Sequence, residues 1–370
     1  MRIAFVLEHY HPYIGGAEKL FKSLAEGLIA HGHEVRVVTT RFSRGLPRME
    51  TINGVQVRRV AAFGRYLFTL LCLPAAIRAA RWCDMMHTTS YNAALPAFIA
   101  SRLTHKPCII TFHEVWGDLW KSVPFMSRLS KWAHKSYERF IVRLRFDQVV
   151  AVSEFTRQAL VSSGAADQRV VTIYNGLNYD STQDFRHHPP DRFTCAYFGR
   201  LGVSKGLDML LKAWQHFTIT SQDARLVLII PTRPPWLLRK VLRLVSQLGI
   251  GHSVDLHHNL SERELLDVLS RCTCVVIPSL SEGFCFAAAE ACALGIPVIS
   301  SHRGALPEVV SGRFVTMRHA GIDELVEALR AAARHEWTTS SLKRFPLDEM
   351  ITRYQEVYLS QASGERKSPA

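Results

Sequence analysis

The sequence predicts an α/β protein made of two doubly wound, parallel-sheet halves in series. Three observations carry that expectation. Short apolar, β-rich runs alternate with helical periodicities along most of the chain, the pattern of parallel strands joined by crossover helices. The alternation restarts after a polar stretch that ends His187-His188-Pro189-Pro190. The length of 370 residues suits about two domains of roughly 100–200 residues each.

In chain order, strands are expected at residues 2–7, 34–39, 55–60, 85–87, 108–112, 148–152 and 170–173. Helices between them are expected at 17–30, 92–103, 123–145 and 154–163. In the second half, strands are expected at 194–198, 226–230, 254–257, 274–277 and 298–300, with helices at 207–217, 235–247, 262–270, 287–294 and 323–333. This divides the chain into a first domain at 1–175, a linker at 176–192, a second domain at 193–345, a C-terminal helix at 346–360 and a disordered tail at 361–370. Doubly wound sheets bind ligands beyond the carboxyl ends of their strands, so two such halves are expected to face each other across a binding cleft.

Composition removes several classes. Apolar residues make up 48% and charged residues 21%, so the chain is neither disordered, collagenous nor a coiled coil as a whole. The apolar opening at 2–7 is too short for a signal-peptide core. The most apolar stretch, residues 66–77, is broken by Pro74 and is too short to span a bilayer. A cytoplasmic protein without an export signal is therefore expected. The cysteines, Cys72, Cys83, Cys108, Cys195, Cys272, Cys274, Cys285 and Cys292, lie mostly in apolar runs with no C-x-x-C or zinc spacing, which fits reduced, buried thiols.

The net charge of +13 is unevenly spread. Residues 1–175 hold 23 Lys and Arg against 12 Asp and Glu, whereas the remainder holds 22 against 20. A basic half implies an anionic partner, or simply a solubilising surface.

Three segments carry candidate chemistry. Gly15 and Gly16 lie between the first strand and the first helix, where glycine admits a ligand to the backbone and a helix N-terminus favours anions. The same residues also suit an ordinary tight turn. They form neither G-x-G-x-x-G nor a P-loop. The segment from Gly199 to Gly206 follows the first strand of the second half and places Arg200 and Lys205 in a glycine-rich loop. Two cations beside accessible backbone suit a diphosphate, and equally suit solvent. In the third segment, Glu282 precedes Gly283, Phe284, Cys285 and Phe286, and Glu290 follows about two turns into an apolar, small-residue helix. A carboxylate there needs a partner: sugar hydroxyls, or a structural cation.

Glu282 and Glu290, eight residues apart after Pro278-Ser279 and before Gly295-Ile296-Pro297-Val298, resemble the signature of retaining family 4 glycosyltransferases of the GT-B fold. Gly199-Arg200-Leu201 with Lys205-Gly206 is similar to their diphosphate loop. Asn175-Gly176 is similar to their Asn-Gly after the last N-terminal strand, and Gly15-Gly16-Ala17-Glu18 to their N-terminal donor loop. The resemblance runs in consistent order from about Met1 to Tyr358.

It implies two Rossmann-like domains facing across a cleft, with the C-terminal helix crossing back to the first domain. It also implies transfer of a hexose-type sugar from a nucleotide-sugar donor to a saccharide or lipid-linked acceptor in envelope polysaccharide, lipopolysaccharide or glycolipid synthesis. Arg200 and Lys205 would neutralise the leaving diphosphate. Glu290 would bind ribose hydroxyls. Glu282 and the backbone of Phe284, Cys285 and Phe286 would hold the sugar, and His113 would stand near it. No metal or cofactor is expected, because Asp-x-Asp is missing from the sequence. Two departures are Cys285, where the family often has glycine, and Ser301-His302-Arg303-Gly304 in place of a second Gly-Gly loop. A sugar-nucleotide epimerase of the same fold, or a catalytically idle nucleotide-sugar-binding protein, are the alternatives.

The predicted helix at 123–145 adds one feature. At 100° per residue, Arg128, Lys131, Lys135, Arg139 and Arg143 share an arc of roughly 120°. Met126, Leu129, Ala133, Tyr137, Phe140, Ile141 and Leu144 occupy another, and Trp132 and Phe125 fall near the basic one. Aromatic residues beside a cationic stripe suit an anionic membrane surface, so a peripheral association is expected; the alternative is a core-packed helix with a solvated basic face. Nucleic acid is not expected, since no known binding motif accompanies the charge.

Overall fold

The structure, a computed structural model, describes residues 1–62, 64–123, 126–180 and 185–363. The chain forms two compact units: Met1–Gly176 with Pro346–Ala370, and Leu177–Phe345.

The first unit has strands β1 (Arg2–Val6), β2 (Glu34–Thr40), β3 (Met49–Ile52), β4 (Val55–Val60), β5 (Met85–Thr89), β6 (Cys108–Phe112), β7 (Gln148–Ala151) and β8 (Val170–Thr172). They form one sheet in the order β3-β4-β2-β1-β5-β6-β7-β8. Every pairing is parallel except β3 with β4. Strands inside the sheet are buried on both faces and read as apolar runs; all five residues of β6 are buried. The edge hairpin β3–β4 turns at Asn53-Gly54 and has one wet face, so Val55 and Val57 are buried while Gln56 is exposed. Met-Glu-Thr-Ile lacks an apolar run, which is why β3 escapes the sequence reading.

Around this sheet lie α1 (Gly16–Ala30), α2 (Arg65–Leu71), α3 (Leu73–Trp82), α4 (Ala94–Thr104), α5 (Arg128–Arg143) and α6 (Glu154–Ser162). The apolar run at 66–77 thus belongs to two helices. Pro74 sits in the first turn of α3, where its missing N–H is not needed. α5 is shorter than the expected 123–145. Ser127 caps it by accepting from Ser130 N at 3.2 Å, Leu144 is extended, and Gly117–Ser122 forms a separate 3₁₀ turn.

A C-terminal helix, Leu347–Ala362, completes this unit and includes Gln361 and Ala362, which were expected in a disordered tail. Residues 364–370 lie outside those described. Tyr354 and Tyr358 of this helix are buried against His87 of β5. His87 Nδ1 is 2.6 Å from Tyr358 Oη and Nε2 is 2.8 Å from Thr111 Oγ1, which in turn is 3.1 Å from Tyr354 Oη. Those hydroxyls satisfy a neutral ring that donates from one nitrogen and accepts at the other.

The second unit has β9 (Thr194–Phe198), β10 (Arg225–Ile229), β11 (Val254–His257), β12 (Cys274–Ile277), β13 (Val298–Ser300), β14 (Arg313–Thr316) and β15 (Thr338–Thr339), in the sheet order β11-β10-β9-β12-β13-β14-β15. Only β15 runs antiparallel to its neighbour. The helices are α7 (Leu207–Thr218), α8 (Pro235–Gln247), α9 (Glu262–Ser270), α10 (Phe286–Ala293), α11 (Leu306–Val309) and α12 (Ile322–Ala333). Trp214 of α7 is fully buried and donates from Nε1 to Ser253 Oγ at 3.1 Å. Part of the expected linker packs on this unit: His188 N donates to Ser270 O at 3.0 Å, and His187 Nε2 is 2.8 Å from Cys272 O.

Burial, reinforced by nearby His113, pushes the His87 pKa from 6.5 down to about 3. Below pH 6.5 the unfolded chain therefore binds a proton that the folded chain refuses, and stability falls as pH drops toward 3. Denaturant unfolding should show a contribution of about 2 kcal/mol lost at pH 5 relative to pH 7. That contribution should disappear in His87→Gln, flattening the slope of stability against pH.

Candidate active site

In the second sheet, β9 leads to β10 on one side and its neighbour β12 leads to β13 on the other. The loops that follow β9 and β12 therefore diverge and leave a crevice at their carboxyl ends. Lys205 and Glu282 meet across it. Lys205 Nζ donates to both carboxylate oxygens at 2.7 and 2.8 Å, and Ser279 Oγ donates to Oε1 at 2.7 Å.

Backbone contacts hold the two loops in register. Leu280 N donates to Ser204 O at 2.7 Å. Gly206 has φ +66° and passes so close to Pro278 that a Cβ would lie 2.1 Å from its carbonyl oxygen. A third loop, after β13, supports Glu282 from behind: Ala305 N donates to Glu282 O at 2.8 Å. Gly304, at φ +64°, would place a Cβ 2.3 Å from that same oxygen. Gly304 thus lets the loop press on the Glu282 backbone, although the sequence there lacks a Gly-Gly pair. Burial alone would lower the Lys205 pKa; the Glu282 carboxylate outweighs it, and the ammonium is held above its ordinary value.

Arg200 is exposed and has no acidic partner among the described residues. Its carbonyl accepts from Tyr197 Oη at 3.3 Å, next to Gly199. Cys285 caps α10 with φ +80°, in the left-handed region that favours glycine, so the backbone keeps a glycine-like shape under a cysteine. Gly283 and Phe284 are buried, and Phe284 packs edge-on to Phe286 with ring centroids 5.4 Å apart. Glu290 is half-buried and is the fifth residue of α10, about one turn in rather than two. Ser281 Oγ and Asn175 Oδ1 are buried and find no hydrogen-bond partner among the described residues. Buried polar atoms are nearly always satisfied, so both suit a ligand.

The first sheet has its own switch point between β1 and β5. Gly15 and Gly16 sit at the N-terminus of α1, in the loop after β1. Glu8, in the same loop, accepts from Asn92 Nδ2 at 2.8 Å, which bridges to the segment after β5, and pairs with Arg65 Nε at 3.1 Å. His113 follows β6, half-buried, with its ring 6.0 Å from Phe21.

Sequence reading missed Glu138. This buried carboxylate accepts from Trp116 N at 2.7 Å, Gly117 N at 2.8 Å, Trp120 Nε1 at 2.9 Å and Tyr91 Oη at 3.1 Å. An acid on the inner face of a basic helix was the available signal.

On α5, Arg128, Trp132, Arg139 and Arg143 are exposed, as expected. Lys131 and Lys135 are instead half-buried and committed: Lys131 Nζ donates to Lys121 O at 2.8 Å and Lys135 Nζ to Asp118 at 2.6 Å. Three members of the apolar arc, Leu129, Ala133 and Phe140, face outward. Phe125 lies outside the described residues. Among those described, no helix is long and apolar enough to cross a membrane, and no His, Cys, Asp and Glu side chains group to hold a metal.

Two measurements probe these arrangements. Gly304→Ala should displace the Glu282 loop and lower both thermal stability and turnover. Gly295→Ala has a similar φ of +68° but nothing within 4 Å of its Cβ, and should cost only about 1 kcal/mol, with activity retained. Glu138→Gln would point an amide N–H₂ at N–H donors and should destabilise the protein by about 2–4 kcal/mol, with altered tryptophan fluorescence from Trp116 and Trp120.

The model for Glycosyltransferase Family 4 matches residues 14–181, and that for Glycosyl transferases group 1 matches residues 180–343. An uncharacterized glycosyltransferase of Methanocaldococcus jannaschii is 28% identical over 341 residues, covering 84% of this chain and 83% of that one. A GDP-mannose:cellobiosyl-diphosphopolyprenol alpha-mannosyltransferase of Xanthomonas oryzae pv. oryzae is 26% identical over 375 residues, covering 96% and 93%. Among solved structures, sucrose-phosphate synthase from Thermosynechococcus elongatus superposes with a TM-score of 0.80 at 18% identity, covering 98% of this chain and 100% of that one. The two matched halves, in this order on two parallel-sheet units, place the chain among the family 4 glycosyltransferases of the GT-B fold.

Proposed function

We propose that this glycosyltransferase moves a hexose-type sugar from a nucleotide-sugar donor to a saccharide or lipid-linked acceptor, with retention at the anomeric carbon, in envelope polysaccharide, lipopolysaccharide or glycolipid synthesis. The observation that carries the reading is the Lys205–Glu282 pair at the switch point of the second sheet, with the exposed cation Arg200 in the same loop as Lys205. Cations aimed where leaving-group charge develops stabilise a transition state more than a ground state. Arg200 and Lys205 would carry that role on the departing diphosphate. Glu282 would fix Lys205 and, with the backbone from Gly283 to Phe286, seat the sugar. Glu290 would accept from ribose hydroxyls, and Asn175, Gly15, Gly16 and Gly199 would line the donor. His113 would stand by the acceptor side of the sugar. The name of the Xanthomonas relative, with its nucleotide-sugar donor and diphosphopolyprenol acceptor, supports a lipid-linked acceptor here and a peripheral place on the cytoplasmic face of a membrane.

Lys205→Ala would strand the buried Glu282 carboxylate and disturb the fold as well as the chemistry. Arg200→Ala and Glu290→Ala are the cleaner tests. Each should lower kcat by about 10²–10³, and Arg200→Ala should do so with an unchanged melting temperature. Near-normal turnover in either would remove that residue from the site.

In a thermal-shift panel of UDP-, GDP- and ADP-sugars, the correct donor at 100 times its Kd should add about 2.7 kcal/mol. EDTA should leave that shift and turnover unchanged. NMR of the product should show the donor's anomeric configuration; conversion of donor without acceptor would instead indicate an epimerase.

A further inference from the structure

α2 is an inverted amphipathic helix. At 100° per residue, Tyr66, Leu67, Leu70 and Leu71 share one arc of roughly 140°, and their exposures are 63%, 38%, 70% and 44%. The opposite side carries Phe68, fully buried, and Thr69, whose hydroxyl donates to Asn92 O at 3.1 Å. The fold therefore uses one apolar residue of this helix and leaves four outside.

The helix is nonetheless firmly placed. Arg65 at its first position pairs with Glu8, Thr69 holds Asn92, and Tyr66 Oη is 2.8 Å from His134 Nε2 on α5. These anchors fix α2 beside the loops that follow β1 and β5. The outer face of α5 adds Leu129 at 72%, Trp132 at 66% and Phe140 at 49% exposure. Arg128, Arg139 and Arg143 are interleaved with them, exposed, and without acidic partners among the described residues.

We propose that α2 and the outer face of α5 together form the surface by which this protein docks on an anionic lipid bilayer, with the α2 leucines and α5 aromatics entering the interfacial layer. The occupant follows from the chemistry of the two faces. Clustered leucine with tryptophan and tyrosine suits the boundary between headgroups and acyl chains, where one end of an aromatic side chain is apolar and the other wet. Three exposed arginines on the same helix as Trp132 call for negative charge over an extended plane, and the excess of basic residues in the first half agrees. An aqueous surface accounts for the arginines and not for the leucines. A second copy of the chain accounts for the leucines and would bring like charges together. The inference rests on the reading of a lipid-linked acceptor and deepens it: α2, tied through Arg65 to the first sheet's switch-point loops, would hold those loops at the lipid surface where such an acceptor lies.

The test is co-sedimentation of the full chain with vesicles of phosphatidylcholine alone and of phosphatidylcholine with phosphatidylglycerol at equal parts. Three proteins are compared: the native sequence, Leu67→Gln/Leu70→Gln/Leu71→Gln, and Arg128→Gln/Arg139→Gln/Arg143→Gln. The native protein should prefer the anionic vesicles and lose binding as salt rises. The arginine variant should bind about fivefold more weakly per arginine removed. The leucine variant should bind at least tenfold more weakly, while both keep the native melting temperature and donor-induced thermal shift.

Equal binding by the native protein and the leucine variant would overturn the proposal, as would indifference to phosphatidylglycerol. A concentration-dependent dimer abolished by the leucine substitutions would overturn it in favour of self-association. Donor binding is read separately, so loss of the membrane result with a normal donor shift refutes this surface alone. An absent donor shift would count against the glycosyltransferase site instead.

Discussion

The Lys205–Glu282 pair is the contact on which the second unit's site depends. A parallel sheet whose chain reverses direction at one strand leaves an open seam there. In this protein the seam is spanned by one short ion pair, with Ser279 donating to the same carboxylate. A buried carboxylate is costly without such partners, so its geometry is closely constrained by what surrounds it. The glycines at 206 and 304 follow from this. Each permits a backbone approach that a side chain would block, and each approach presses a loop onto the segment from Pro278 to Glu282. The positive φ of Cys285 belongs to the same economy of space: the turn into α10 keeps the shape it needs whatever side chain it bears.

The first unit solves a related problem with two carboxylates. Glu8 joins the loops after β1 and β5 and draws in Arg65, while Glu138 gathers the backbone and indole N–H groups of the segment from Trp116 to Trp120. A carboxylate offers about four acceptor positions, so one buried acid can gather the N–H groups that a short loop or a 3₁₀ turn leaves without a backbone partner. Both acids act at the carboxyl ends of the strands, where ligand-binding loops of such sheets lie. The C-terminal helix is fastened differently, through a neutral imidazole and two tyrosines in a buried network. That network keeps the buried His87 neutral near His113.

Much of the architecture was legible in the chain. Parallel strands rich in buried apolar residues stand out as short runs, and β4, β6, β9, β11, β12 and β13 match their expected limits. Short strands with little buried surface were harder to read. β3, β14 and β15 have no fully buried residue and were not expected from the sequence. α2 and α3 merged into one apolar stretch because Pro74 looks the same whether it breaks a helix or starts one. On α5, the sequence separated a basic arc from an apolar arc. The structure cuts across that division, because Lys131 and Lys135 are engaged by the neighbouring 3₁₀ turn while Leu129 and Phe140 face outward.

By itself, the sequence determined the strand–helix alternation, the two halves, the family, and the residue types gathered at the candidate site. These follow from local periodicity and from spacing within single loops. Only the tertiary structure decided that Lys205 and Glu282, 77 residues apart, share one ion pair, that Gly304 supports it, that Glu138 is buried under four donors, and that the α2 leucines lie outside. Each of these depends on which strands are neighbours and on which side of a helix meets the sheet. Chain order does not carry that information, because burial and pairing are properties of the packed whole.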